Sequence, residues 1–227
     1  MTYARATTIV FVMILSFPRV LSLVRLGGWG VRPSRYLRTI TSSSSSDTIY
    51  ALSSGGNTKS GVAVVRVSGP DSLYCLEQLS APGKAFAPPK PRLATLKALY
   101  CPRTQDLLDK ALVLYFPKPH SFTGEDVVEL HVHGSKAVLS GLFQAFTYID
   151  EQTTQQTESN SSPLMAIRPA ERGEFTRRAF ENGKMDLTEV EGLADLLSAD
   201  TSIQRKQALM QMDGHLRVQY EKWRLAK

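Results

Sequence analysis

The side chains best suited to chemistry in this sequence lie on two segments with strand-like alternation. In Val62–Val67, Val62, Val64 and Arg66 share one face of a strand, and Ala63, Val65 and Val67 share the other. A guanidinium on a strand that is apolar on both faces is costly unless a carboxylate or an anionic ligand pairs with it. Arg66 is therefore half of a structural ion pair or a ligand contact. In Asp126–His133, Glu129, His131 and His133 face one way, while Val128, Leu130 and Val132 face the other. Such a row can be a polar sheet surface. It can also be a metal site, although the sequence offers no fourth ligand. A third use is ligand reading: a carboxylate accepts two parallel hydrogen bonds and so matches an amidine-like N–H pair, such as the edge of a pterin ring.

Other motifs exclude more than they suggest. Gly55-Gly56-Asn57-Thr58-Lys59-Ser60 superficially looks like a phosphate-binding loop, but Thr58 stands where a glycine must precede the lysine. It also lies between two strands, with no helix N-terminus to hold a phosphate. Asn182-Gly183-Lys184-Met185 fails because neither Ser nor Thr follows the lysine. Helical Glu174–Phe180 puts Phe175, Ala179 and Phe180 on one face. Its arginines, interspersed with Glu171, Glu174 and Glu181, read as a solvated face rather than an RNA patch. Cys75 and Cys101 have neither C-x-x-C nor metal-ligand spacing, and both are expected to remain thiols.

The basic balance is local. The 227-residue chain carries 27 Lys+Arg against 21 Asp+Glu, a net charge of +6. Residues 1–46 contain Arg5, Arg19, Arg25, Arg32, Arg35 and Arg38 with no acidic residue, so the remainder is formally neutral. Net charge is thus no argument for a nucleic-acid-binding core. An Arg-rich, acid-free segment ending in Ser42 to Ser46 reads as an organellar transit peptide. A secretory signal is the alternative, since Ile9–Phe17 is a short apolar run behind Arg5. That run is far below the roughly 20 residues a membrane-spanning helix needs.

The elements that must position these residues follow from periodicity. Strands are expected at Asp47–Leu52, Val62–Val67, Leu93–Tyr100, Ala111–Phe116 and Asp126–His133, with a short helix near Ser72–Leu79. Residues 81–92 form a Pro/Ala/Lys linker, and Pro117 to Gly124 a loop. Lys136–Ile149 has helical periodicity, Asp150–Pro163 reads as a disordered polar insertion, and Leu164–Ile167 as a last short strand. Beyond Arg168 the chain is helical in character. Thr188-x-x-Glu191 and Thr201-x-x-Gln204 are capping-box patterns, and Leu209, Met212, Leu216, Tyr220 and Trp223 form an apolar stripe with no later segment to pack against.

Asp47-Thr48-Ile49, the run GVAVVRVSG (61–69), PHSFTGEDVVELHVHG (119–134) and GEFTRRAFENGKMDLTEVEGLADLL (173–197) together resemble the front part of the MnmE/TrmE family of tRNA-modifying GTPases. The resemblance covers most of 47–227. It implies an α+β fold: a mixed sheet with helices, similar to the tetrahydrofolate-binding domain of aminomethyltransferases, over 47–182. The first part of a helical domain would then occupy 183–227. It implies binding of 5-formyl- or 5,10-methylene-tetrahydrofolate, with Arg66, Glu129 and Lys184 on the family's folate-contact positions. Arg66 and Lys184 suit the folate's anionic tail or polar edge.

The family acts on the wobble uridine of certain tRNAs as a homodimer with an FAD-containing MnmG-type partner, its organellar members in the mitochondrial matrix. GTP, Mg2+ and K+ belong to a GTPase domain for which this sequence has no Walker A motif, and no residue here is expected to be catalytic. A non-catalytic dimerisation or regulatory module pairing with a full-length relative is the alternative. A stand-alone aminomethyltransferase is disfavoured, because no carboxylate has a spacing that marks it as a general base. Two departures from the family pattern are Arg172 where a proline is usual and Ser135 where a second glycine is usual.

Overall fold

The computed structural model describes residues 47–54, 59–157 and 166–213. Among these residues six strands form one mixed sheet: β1 (Thr48–Leu52), β2 (Ser60–Ser68), β3 (Thr95–Tyr100), β4 (Leu107–Phe116), β5 (Val127–Gly134) and β6 (Ile167–Pro169). Their order across the sheet is β3-β4-β5-β2-β1-β6, antiparallel except for the parallel pair of β1 and β6. Among the described residues five helices accompany it: α1 (Ser72–Gln78), α2 (Lys136–Thr157), α3 (Glu174–Glu181), α4 (Leu187–Ser198) and α5 (Ser202–Met212). The α+β expectation holds.

Alternation decides which face is buried. Val65, Val67, Val113, Val128, Leu130 and Val132 point to the side covered by α1 and α2, where Leu76, Leu142 and Phe146 complete the core. Each such aliphatic or aromatic side chain contributes roughly 1.5–3 kcal/mol by leaving water. Tyr50 of β1 stacks on Phe146 at 4.5 Å between ring centroids, which fixes α2 over the β1 side of the sheet. The opposite face carries Arg66, Glu129 and His131, and leaves Val62, Leu96 and Leu112 exposed.

Four local expectations change. β4 starts at Leu107 rather than Ala111, because Asp109 is drawn into the sheet: it pairs with Leu99, and its carboxylate accepts the His133 backbone N–H at 2.7 Å. α2 continues to Thr157, so the first part of the polar tract is helix rather than disordered insertion. Thr153 is buried there, and the Asp150 carboxylate accepts the Ile167 N–H at 2.8 Å, tying the helix to β6. The last strand is Ile167–Pro169; Leu164 and Met165 of the expected strand lie outside the described residues. The first capping box is Asp186 with Glu189, not Thr188 with Glu191. Thr188 instead donates its hydroxyl to Asp186 at 2.7 Å, reinforcing that cap.

The second box, Thr201 with Gln204, opens α5 as expected. α5 returns along α4, and Met212 packs against Gly192, where a Cβ would stand 3.0 Å from the Met212 side chain. Leu216, Tyr220 and Trp223 lie outside the described residues, as do residues 1–46. Ser135, at the position of the second glycine, has no positive φ. It caps α2, accepting the Val138 N–H on its hydroxyl at 3.2 Å.

Candidate ligand site on the open sheet face

Arg66 and Glu129 are direct partners in the antiparallel register of β2 and β5. The guanidinium meets a single carboxylate oxygen: Nε donates to Oε1 at 3.0 Å, and Nη2 stands 2.9 Å from the same Oε1 as an ion-pair contact. Both side chains keep about a fifth of their surface in solvent, 22% and 18%. The Arg66 guanidinium also lies 5.2 Å from the Phe122 ring centroid and 5.5 Å from that of Phe175, two cation–π contacts from different elements. The costly strand arginine is thus paired with a carboxylate, one of the two possibilities its environment left open, while Glu129 keeps its second oxygen clear of Arg66.

The three polar residues of β5 separate. His131 points to the same face as Glu129, its Nε2 3.8 Å from Glu129 Oε2. His133 turns to β4, its Nδ1 2.8 Å from Asp109 Oδ1. Burial opposes ionisation of Asp109, but the His133 backbone N–H, the His133 ring and the Lys110 N–H outweigh it and hold that carboxyl below its ordinary pKa. Among the described residues no group of His, Cys, Asp and Glu has metal-binding geometry.

Lys184 reaches this region through a loop. It is exposed in the turn after α3, with its backbone N–H on Ala179 O at 2.8 Å. Gly124 sits against it: a Cβ there would stand 3.2 Å from Lys184 Cγ and 2.9 Å from Asn182 Cβ, and φ is +80°. Glycine at Gly124 is required on both counts. Phe122, two residues back along the same loop, lies over Arg66. One loop therefore touches both Arg66 and Lys184.

That loop is anchored by residues the sequence does not advertise as functional. The Thr123 and Ser68 hydroxyls are 2.7 Å apart, and Ser68 donates to Glu125 Oε2 at 2.8 Å. Asn182 donates to Thr123 O at 2.7 Å. Arg178, expected on a solvated face, is buried. Its Nη1 donates to Glu125 Oε2 at 3.0 Å and to Asp47 O at 2.7 Å, and its Nη2 to Glu174 Oε1 at 3.3 Å. Glu174, also buried, accepts two hydrogen bonds from Arg168 at 2.6 and 3.0 Å and the Glu171 N–H at 2.8 Å. Burial raises its pKa, but Arg168, the Glu171 N–H and Arg178 overcome that and pull the carboxyl down to about 2. Arg177 is the arginine that stays exposed, and it pairs with Glu171, Glu174 and Glu181. The signal available in the sequence was the i, i+4 spacing of Glu174 and Arg178; nothing local marks Glu125 as their third member.

Both cysteines are free thiols; burial of Cys75 pushes its pKa up and leaves it unreactive. Among the described residues no helix is long and apolar enough to cross a membrane.

The sequence that builds this fold has relatives among known proteins. Residues 48–184 match the family described as GTP-binding protein TrmE N-terminus, and the chain belongs to that family. It is 53% identical over 169 residues to the human mitochondrial 5-taurinomethyluridine-[tRNA] synthase subunit GTPB3, covering 74% of this chain and 30% of the relative. The Danio rerio protein of the same name is 51% identical over 177 residues, covering 78% of this chain and 31% of the relative. The tRNA modification GTPase MnmE of Beijerinckia indica is 49% identical over 180 residues, covering 79% and 35% respectively. The chain thus spans roughly a third of the length of these relatives.

Proposed function

We propose that this chain is the folate-binding front part of a mitochondrial tRNA wobble-uridine modification GTPase. Residues 47–182 form the folate-binding and dimerisation domain, and 183–227 the beginning of the helical domain. Reduced folate, as its 5-formyl or 5,10-methylene form, supplies the one-carbon unit. Arg66, Glu129 and Lys184 hold it, and activity on tRNA involves an MnmG-type FAD partner. The reading is supported by membership of the family, by the relatives' names, and above all by one observation: the partly exposed Arg66–Glu129 pair with Phe122 and Phe175 beside its guanidinium and Lys184 against the same loop.

The residues present suit the ligand. Glu129 Oε2 accepts a pterin N–H, the aromatic rings offer flat apolar surface, and the ammonium of Lys184 pairs with a carboxylate tail. Exposed Val62, Leu96 and Leu112 on the open face support self-association as a homodimer. The Arg-rich segment before Asp47 and the mitochondrial names of the relatives support import into the matrix.

Calorimetric titration of 5-formyltetrahydrofolate into the chain tests the proposal. Binding to wild type, abolished in Glu129→Ala with an unchanged circular dichroism spectrum, is the expected result. Absence of binding by the folded wild-type dimer would sink it.

A further inference from the structure

Among the described residues on the face that carries Arg66, the buried Nε2 of His131 makes no hydrogen bond. The carboxylate beside it is that of Glu129, whose Oε2 is 3.8 Å away, about 1 Å beyond hydrogen-bond contact. The residues paired with His131 across the sheet are Val64 on β2 and Leu112 on β4, both aliphatic, so neither provides Nε2 with a side-chain partner. Glu129 is anchored unevenly. Arg66 donates from Nε to Oε1, its Nη2 lies beside the same oxygen, and no hydrogen bond runs from Arg66 to Oε2. A carboxylate held through one oxygen can still pivot about its Cγ–Cδ bond, and its second oxygen is then poorly aimed at any ligand.

The geometry points to His131 as a positioning residue for Glu129, resting on the ligand-binding reading above. A small rotation of the carboxylate closes the gap, so that Nε2–H donates to Oε2 while Arg66 keeps Oε1. Held from both sides, the carboxylate has a fixed plane and directs the remaining lone pair of Oε2 toward the N–H edge of a bound heterocycle. His131 acts through Glu129 at Nε2, the ring atom that is closed off from solvent. The tautomer required carries its proton on Nε2. An unsatisfied buried donor is unfavourable, which is the driving force for closure.

Two measurements on the full chain decide this. Calorimetry with 5-formyltetrahydrofolate compares wild type, His131→Leu and His131→Gln. Loss of one aligning hydrogen bond is expected to weaken binding roughly three- to tenfold in His131→Leu. The amide donor of His131→Gln recovers most of that loss, with all three thermal midpoints alike. Leu binding as tightly as wild type, or Gln failing as Leu does, overturns the inference.

The second measurement needs no ligand. Long-range 1H–15N spectra of the His131 ring, in wild type and Glu129→Gln, report whether the Nε2 proton is bonded to the carboxylate. A ring resonance that shifts on that substitution supports the anchor; an unchanged ring overturns it. Should wild type bind no folate while the ring still responds, the folate reading falls and the anchoring of Glu129 by His131 stands.

Discussion

Two arginine–carboxylate systems lie on either side of the same loop, and they are built for opposite ends. Beneath α3, Glu174 is fully buried and saturated, with Arg168 and Arg178 and a backbone N–H all directed at it. On the open sheet face, Arg66 and Glu129 meet through one carboxylate oxygen and leave the other clear of the guanidinium, with solvent at both side chains. A saturated buried network has no valence left for a ligand, so it fixes where the loop lies. An unsaturated, partly exposed pair with aromatic rings beside it has valence to spare. Burial and saturation, not the presence of charge, separate the support from the site.

The substitution that strikes hardest at this contrast is Glu174→Gln. It leaves Arg168 and Arg178 without their shared carboxylate, and breaking a buried pair from one side costs about 3–5 kcal/mol. Urea unfolding should register that loss in full. The same carboxyl predicts an acid limb. Its folded pKa is depressed from 4.5 to about 2, so its stabilising contribution is present above pH 4.5 and is lost as pH falls toward 2. In Glu174→Gln that part of the acid limb should disappear from stability measured against pH.

A smaller effect is expected at the junction of the two systems. Gly124→Ala combines a positive φ with a Cβ 2.9 Å from that of Asn182, and should cost about 1–3 kcal/mol. Because the same loop carries Phe122, folate affinity should fall with it. A destabilised Gly124→Ala that retains full affinity would detach the loop from the site.

The smallest effect on stability is expected at the site itself. Arg66→Met removes a partly solvated pair and should cost about 1 kcal/mol or less, because water reaches Glu129. Titration calorimetry should nevertheless find folate binding lost. A large fall in the unfolding midpoint would show that Arg66 belongs with the supporting network and would erase the distinction between the two systems.

Local chemistry was readable where its period is local. Alternation set Arg66 opposite Val65 and Val67 within β2, and Glu129 and His131 opposite Val128 and Leu130 within β5, because a strand reverses its side chains at every residue. The Thr201 cap was legible for the same reason: donor and acceptor are three residues apart. Ambiguity began where two local patterns overlapped. Asp186-x-x-Glu189 and Thr188-x-x-Glu191 are both capping boxes, and the helix takes the first, with Thr188 turned to bond Asp186. Legibility ended in 150–157, where the apolar stripe stops but burial of Thr153 and the bond from Ile167 to Asp150 carry α2 onward.

By itself, then, the sequence determined the strand faces, the α+β class, the family, and the need of Arg66 for a negative partner. Tertiary structure alone decided that this partner is Glu129, 63 residues away, and that Arg178 is buried against Glu125, 53 residues away. The physical reason is that a guanidinium states its demand in its own local environment. Which carboxylate meets that demand depends on the register of β2 against β5 and on the docking of α3, and both are settled only when the whole sheet packs.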